Sequence, residues 1–169
     1  MNYILLLIAS FLFLTAIAIF SPTKLPYTCI KHCDGDTSHF QNHKGEVFKV
    51  RYEFMDADEK RQPFGAMASE RLAKLVPIGS GVNIEFNGKD KFGRWIGTIY
   101  TKRLNVNFEM VSTGYAVAET DYKGDRVTKN QYERAEQYAK DHKLGRWKRH
   151  EWCKERPSEY RKRIKSGVK

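Results

Sequence analysis

Cysteine is scarce in this chain and histidine is never paired: three Cys and five scattered His in 169 residues. Cys29 and Cys33 lie on one short predicted strand with no histidine pair after them, which argues against a zinc site. The three thiols leave two readings. In an oxidising compartment one disulfide staples Cys153 to the first strand and one thiol is left over; otherwise all three stay reduced. There is no internal repeat, and 169 residues are room for one domain. Charge is missing altogether from residues 1–23.

That uncharged start is apolar from Tyr3 to Phe20, broken only by Ser10 and Thr15. Its 18 residues sit at the short edge of a membrane-spanning helix. They also suit a signal peptide, with Ala16-Ile17-Ala18 as a small-x-small cleavage site, although no Lys or Arg precedes the run. A buried core helix is a third reading. Residues 1–23 are therefore read as a signal peptide or membrane anchor, leading to an exported protein, membrane-anchored or secreted/periplasmic. Retention of the leader would engage the membrane through residues 3–20. Lys24 alone gives little hold on orientation.

The charge that is present is uneven. Of a net +10, residues 142–169 supply +8, with 11 Lys and Arg against three acids. A basic tail, residues 148–169, is expected to add non-specific, salt-dependent phosphate affinity or to stand solvated. The remainder, residues 1–141, is close to balanced, and residues 24–147 form the expected domain.

Within it, strands are expected over Tyr27–Cys33, Ser38–Gln41, Glu46–Met55, Val82–Phe86 and Phe92–Tyr100. Helices are expected over Ala66–Val76, Val106–Thr113 and from a Thr128 cap, the last with Tyr132, Ala135, Tyr138 and Ala139 inward. Five short strands with a helix between the third and fourth predict an α+β fold. It is a five-stranded OB-type Greek-key barrel with three helices, preceded by an N-terminal hydrophobic helix.

The chemistry gathers at strand ends. Arg51-Tyr52-Glu53-Phe54-Met55-Asp56-Ala57-Asp58-Glu59 starts as a strand and runs out into acids that no sheet interior tolerates unpaired. Asp36, Arg51, Asp56, Glu59 and Arg94 together make a phosphodiester-hydrolysing kit. Carboxylates suit a hard cation such as calcium. Two guanidinium forks match phosphate oxygens. A further carboxylate can take a proton from water. Taken singly, Asp36 is a turn former and Arg94 a surface turn arginine; the set carries the reading. One geometric demand follows: on an extended strand Arg51 and Asp56 would lie about 17 Å apart, so the chain must bend or bulge between them.

From about Thr28 to Trp147 the sequence resembles the thermonuclease family, the staphylococcal-nuclease-like domains. Asp34-Gly35-Asp36-Thr37, Arg51 through Glu59, Asp90-Lys91-Phe92-Gly93-Arg94, Val106-Asn107, Gly114-Tyr115-Ala116 and Leu144-Gly145-Arg146-Trp147 match its motifs in order. The resemblance implies a calcium-dependent endonuclease on DNA and RNA, preferring single-stranded or unpaired segments. It would be a monomer, cutting the 5′ P–O bond to leave 3′-phosphate ends. By matched position it implies Asp36, Asp56 and the Ala57 carbonyl as metal ligands. Arg51 and Arg94 would hold the phosphate and Glu59 would act on the attacking water. Lys91, Phe92 and Tyr122 would line the nucleotide pocket. Asp58 stands where the family usually has proline, and is expected to add a negative charge beside the metal. Phe92 stands where tyrosine is more usual, and the loop from Glu59 to Gly65 is short. The competing reading is a non-catalytic nucleic-acid-binding OB-fold module tethered at a membrane.

Overall fold

A computed structural model describes residues 25–102, 104–120 and 126–167. The apolar leader, residues 1–23, and Tyr122 lie outside the described residues. No helix among the described residues is long and apolar enough to cross a membrane.

Five strands close into a barrel: β1 (Tyr27–His32), β2 (Thr37–Asn42), β3 (Val47–Tyr52), β6 (Trp95–Tyr100) and β5 (Gly81–Lys89), with β5 returning to β1. All neighbours are antiparallel except β3 and β6, whose parallel pairing needs a long crossover. Helix α1 (Gly65–Leu75) lies on that crossover. This is the strand order of an OB-type barrel, as expected. Alternation sets the core. On β5, Val82 and Ile84 point in while Asn83 and Glu85 point out. Phe40, Val50, Tyr52 and Ile99 complete the filling, each side chain of this size stabilising by about 1.5–3 kcal/mol on burial. Phe48, Phe86 and Trp95 cluster over one part of the barrel with ring centroids 5.1–6.3 Å apart.

The return strand expected over Glu46–Met55 is broken in two. Phe54 adopts a left-handed backbone, φ +57°, and the chain turns sharply between Tyr52 and Met55. Asn107, fully buried on helix α2 (Val106–Ser112), holds this turn. Its Nδ2 donates to the carbonyls of Glu53 (2.9 Å) and Gly97 (3.1 Å), and its Oδ1 accepts from the Ile99 N–H. Phe54 packs on Tyr132 with centroids 5.3 Å apart. Beyond the turn, β4 (Met55–Asp56) pairs with β7 (Val117–Ala118) instead of the barrel. The burial of an aromatic ring and a satisfied backbone outweigh the ordinary cost of a left-handed residue.

Helix α3 (Arg126–Asp141) already includes Thr128, so that residue is inside the helix and not its cap. Its buried stripe is Tyr132, Ala135, Glu136 and Ala139. Tyr138, expected inward, is half exposed and stacks on His142 at 4.0 Å, while Glu136 turns in because cations meet it there.

A fourth helix, α4 (Pro157–Lys165), follows the three expected. Pro157 starts it, and Glu159 Oε2 accepts from the Arg156 N–H at 2.8 Å. The tail is thus docked over much of its length. Arg146 donates to the carbonyls of Trp152 (3.0 Å) and Glu155 (2.9 Å). Arg156 donates to the Ala118 carbonyl (2.7 Å) and to Glu136 (2.9 Å). Trp152 packs on Phe64 at 5.2 Å. All three cysteines are free thiols, and Cys153 reaches only the Arg149 and His150 carbonyls.

Candidate active site

Alternation on β3 sends Val50 and Tyr52 into the barrel and Arg51 to the opposite face. The β2–β3 register sets Thr37 opposite Arg51, and the Tyr52 N–H donates to the Asp36 carbonyl. Asp36 therefore arrives beside the guanidinium. The turn at Phe54 brings Asp56 back from the other side. Arg51 Nη1 lies 2.6 Å from Asp36 Oδ2, and Nη2 lies 2.7 Å from Asp56 Oδ1. The bend that the linear spacing demands is met by one left-handed phenylalanine. Ala57 joins this corner through its N–H, which donates to Asp36 Oδ2 at 3.0 Å. Burial pushes the Asp36 carboxyl up to about 7, against the pull of Arg51 and with Asp34 and Asp56 adding to the rise.

Glu59 sits on the loop after β4. Its N–H donates to Gln62 Oε1 and its carbonyl accepts from the Gln62 N–H, both at 2.8 Å. Gly65 lets that loop close: a Cβ there would run into the Glu59 carbonyl. Arg94 stands at the mouth of β6 on a tight turn that Gly93 completes at φ +76°. Asp90 fixes this turn, accepting from the Phe92 and Arg94 N–H groups and from Arg94 Nε at 2.7 Å. The Lys91 ammonium and the Arg94 guanidinium both lie over the Phe92 ring, at 5.3 and 5.5 Å, and Phe92 is 73% exposed.

These groups share one open cleft of about 950 Å³ whose lining includes Asp36, Arg51, Glu59, Lys91, Phe92, Arg94 and Arg161. Asp56 is 1% exposed and lies behind Arg51 and Arg161, two residues of the lining that bond to it. Asp58 does not belong to it. Its side chain turns the other way and pairs with Arg146 Nη1 at 2.8 Å, both essentially sealed from water. Burial raises the Asp58 carboxyl to about 6 although Arg146 opposes the rise. The charge expected beside the metal pairs with Arg146 in the C-terminal clamp, while Asp56 and Glu59 still push its carboxyl up.

Arg161 is the residue that sequence reasoning missed. From α4 its guanidinium reaches Asp56 Oδ1 (3.0 Å), Asp56 Oδ2 (2.9 Å) and Glu59 Oε1 (3.0 Å). Burial alone would lower this guanidinium, but its bonds to Asp56 and Glu59 raise it. The available signal was Pro157 with Glu159, a helix start inside a tail read only for its charge.

No group of three or more His, Cys, Asp or Glu converges as a ready-made metal cage among the described residues. The donor set still fits a hard cation. Asp36 and Asp56 grip one guanidinium from two sides, so they stand close enough to share a cation, and all their donors are oxygen. Arg161 on Asp56 and Glu59 is a cation already in that place.

The sequence model of the family described as Staphylococcal nuclease homologue matches residues 40–149. An uncharacterized endonuclease of Haemophilus influenzae is 32% identical over 146 residues, covering 86% of this chain and 79% of the relative. Endonuclease YhcR of Bacillus subtilis is 30% identical over 77% of this chain, which spans 12% of that protein. The SPbeta prophage-derived endonuclease YokF of the same organism is 30% identical over 73% of this chain, which spans 44% of it.

Proposed function

The chain belongs to the staphylococcal nuclease homologue family, and we propose that it is a calcium-dependent endonuclease hydrolysing phosphodiester bonds of DNA and RNA to 3′-phosphate ends. One observation carries the reading: Arg51 is pinned between Asp36 and Asp56 under a cleft that also holds Glu59 and Arg94. The endonuclease names of the relatives support it.

Asp36 and Asp56 would hold the calcium ion, with the Ala57 carbonyl as a third oxygen. Bound there, calcium supplies Lewis-acid polarisation of the phosphoryl group. Arg51 and Arg94 donate to the phosphoryl oxygens and stabilise the charge that builds on them in the transition state. Glu59 accepts the proton of the attacking water. The water oxygen bonds to phosphorus as the P–O5′ bond breaks. The 5′ oxygen leaves with a proton from solvent, and the phosphate stays on the 3′ side. Phe92 offers a ring face to an unstacked base, with Lys91 beside it, which supports single-stranded or unpaired substrates. The apolar run at residues 3–20 supports an exported enzyme.

The test is cleavage of single-stranded DNA with calcium, with magnesium and with chelator, plus analysis of the new ends. Calcium-dependent cutting to 3′-phosphates, lost in Glu59→Gln, is expected. Cutting that survives chelation, or Glu59→Gln at the wild-type rate, contradicts the proposal. The second reading, a binding module without catalysis, is favoured by Arg161 seated on both Asp56 oxygens. Salt-sensitive binding with no cleavage under any divalent cation would select it.

A further inference from the structure

We propose that Arg161 is a built-in occupant of the cation position, seated on Asp56 and Glu59 until calcium displaces it, so that the C-terminal helix sets the cation threshold of the enzyme. The inference rests on the reading of Asp56 as a cation ligand.

Three observations carry it. Arg161 covers both Asp56 oxygens with a two-nitrogen fork and extends one nitrogen to Glu59. Asp56 Oδ1 also accepts from Arg51, so that oxygen already has two donors. A calcium ion binds carboxylate oxygen at about 2.3–2.6 Å. The Arg161 nitrogens stand 2.9–3.0 Å from the same two oxygens, so Arg161 and the ion would compete for their lone pairs.

The charges lead to the same place. Three carboxyl side chains, Asp36, Asp56 and Glu59, meet two guanidinium groups, Arg51 and Arg161, at this corner, so Arg161 and a divalent ion would bring positive charge to the same acids.

The third observation concerns what would have to move. The segment that leads into helix α4 is anchored without Arg161. Arg146 holds the Trp152 and Glu155 carbonyls, Arg156 holds Ala118 and Glu136, and Arg163 pairs with Glu155 at 2.8 Å. The Arg161 side chain is 42% exposed on the cleft side. It lines the cleft, so its release into open volume leaves the anchors up to Arg156 untouched. A guanidinium delivered onto two acids is what a competitor requires, and holding the tail as far as Arg156 does not need it.

Calcium binding by the full chain, measured by titration calorimetry without nucleic acid, tests this. Arg161→Gln is expected to bind calcium about five- to tenfold more tightly than wild type, the low end of coupling between two sites. Arg161→Lys, which keeps the charge without the fork, is expected to fall between. Circular dichroism checks that both variants keep the fold. Unchanged or weaker binding in folded Arg161→Gln overturns the inference. Asp56→Asn separates the two levels. If it abolishes binding while Arg161→Gln changes nothing, only the inference fails. If it binds as wild type does, the cation-site reading fails as well.

Discussion

Asp56 and Asp58 are the same side chain two residues apart, both buried and both facing arginine, yet they belong to different machines. Asp56 looks into the cleft, where Arg51 and Arg161 meet it and where Asp36 and Glu59 stand nearby. Asp58 looks away, into a closed contact with Arg146, whose other nitrogens hold the tail. The difference lies in what surrounds each pair. At Asp56 the acids outnumber the guanidinium groups and the site opens to solvent, so there is room for a divalent ion and an anion. At Asp58 one carboxyl meets one guanidinium in a dry contact, with Asp56 and Glu59 near enough to act on it. A buried ion pair by itself says little of function; surplus charge beside open volume says more.

The comparison can be broken at several points. The largest effect is expected on stability from Arg146→Ala. That change leaves Asp58 as an uncompensated buried carboxylate and frees two tail carbonyls, costing about 3–5 kcal/mol. Denaturant unfolding measures it, and a loss under about 1 kcal/mol would mean the clamp is ornamental. Next comes Arg51→Lys, which keeps a charge between Asp36 and Asp56 but removes the fork. Turnover on single-stranded DNA is expected to drop by about 10²–10³ with little change in melting temperature. Phe92→Ala should weaken binding of a single-stranded oligonucleotide by about 1–3 kcal/mol for one lost base stack, and leave duplex binding less affected.

The smallest effect concerns pH. Burial would raise the Glu136 carboxyl, but hydrogen bonds from Lys140 and Arg156 outweigh it and hold the group below its ordinary value of 4.5. A carboxylate lowered in the folded state gives stability that is present above 4.5 and disappears as the pH falls through the folded value. Glu136→Gln should therefore be less stable than wild type at neutral pH, with the gap closing below 4.5. A gap that widens in acid would reverse the sign.

Much of the barrel was legible in the sequence because alternation is local. Val82 and Ile84 on β5, or Val50 and Tyr52 on β3, declare their faces two residues at a time. The need for a bend between Arg51 and Asp56 was also legible, as a distance too long for one phosphate. Its form was not, because nothing local marks Phe54 as left-handed; the cause is Asn107, more than fifty positions away. The Arg146 partner of Asp58 was hidden for a related reason. Residues two apart share a face only while the strand lasts, and β4 ends at Asp56. In α3 the inward stripe took Glu136 over Tyr138 because its partners, Arg156 and Lys140, make a buried acid cheaper there than a hydroxyl-bearing ring. Arg161 was hidden by composition: eleven basic residues near the C-terminus read as a charge, and charge does not say which of them lands on Asp56.

The division between the two aspartates meets its most direct test in the calcium dependence of DNA cleavage by Asp56→Asn and Asp58→Asn, assayed side by side on folded protein. Asp56→Asn should abolish calcium-activated cutting, while Asp58→Asn should cut with an unchanged half-saturating calcium concentration and only a lower melting temperature. An Asp58→Asn enzyme whose calcium requirement moves as far as that of Asp56→Asn would contradict the account.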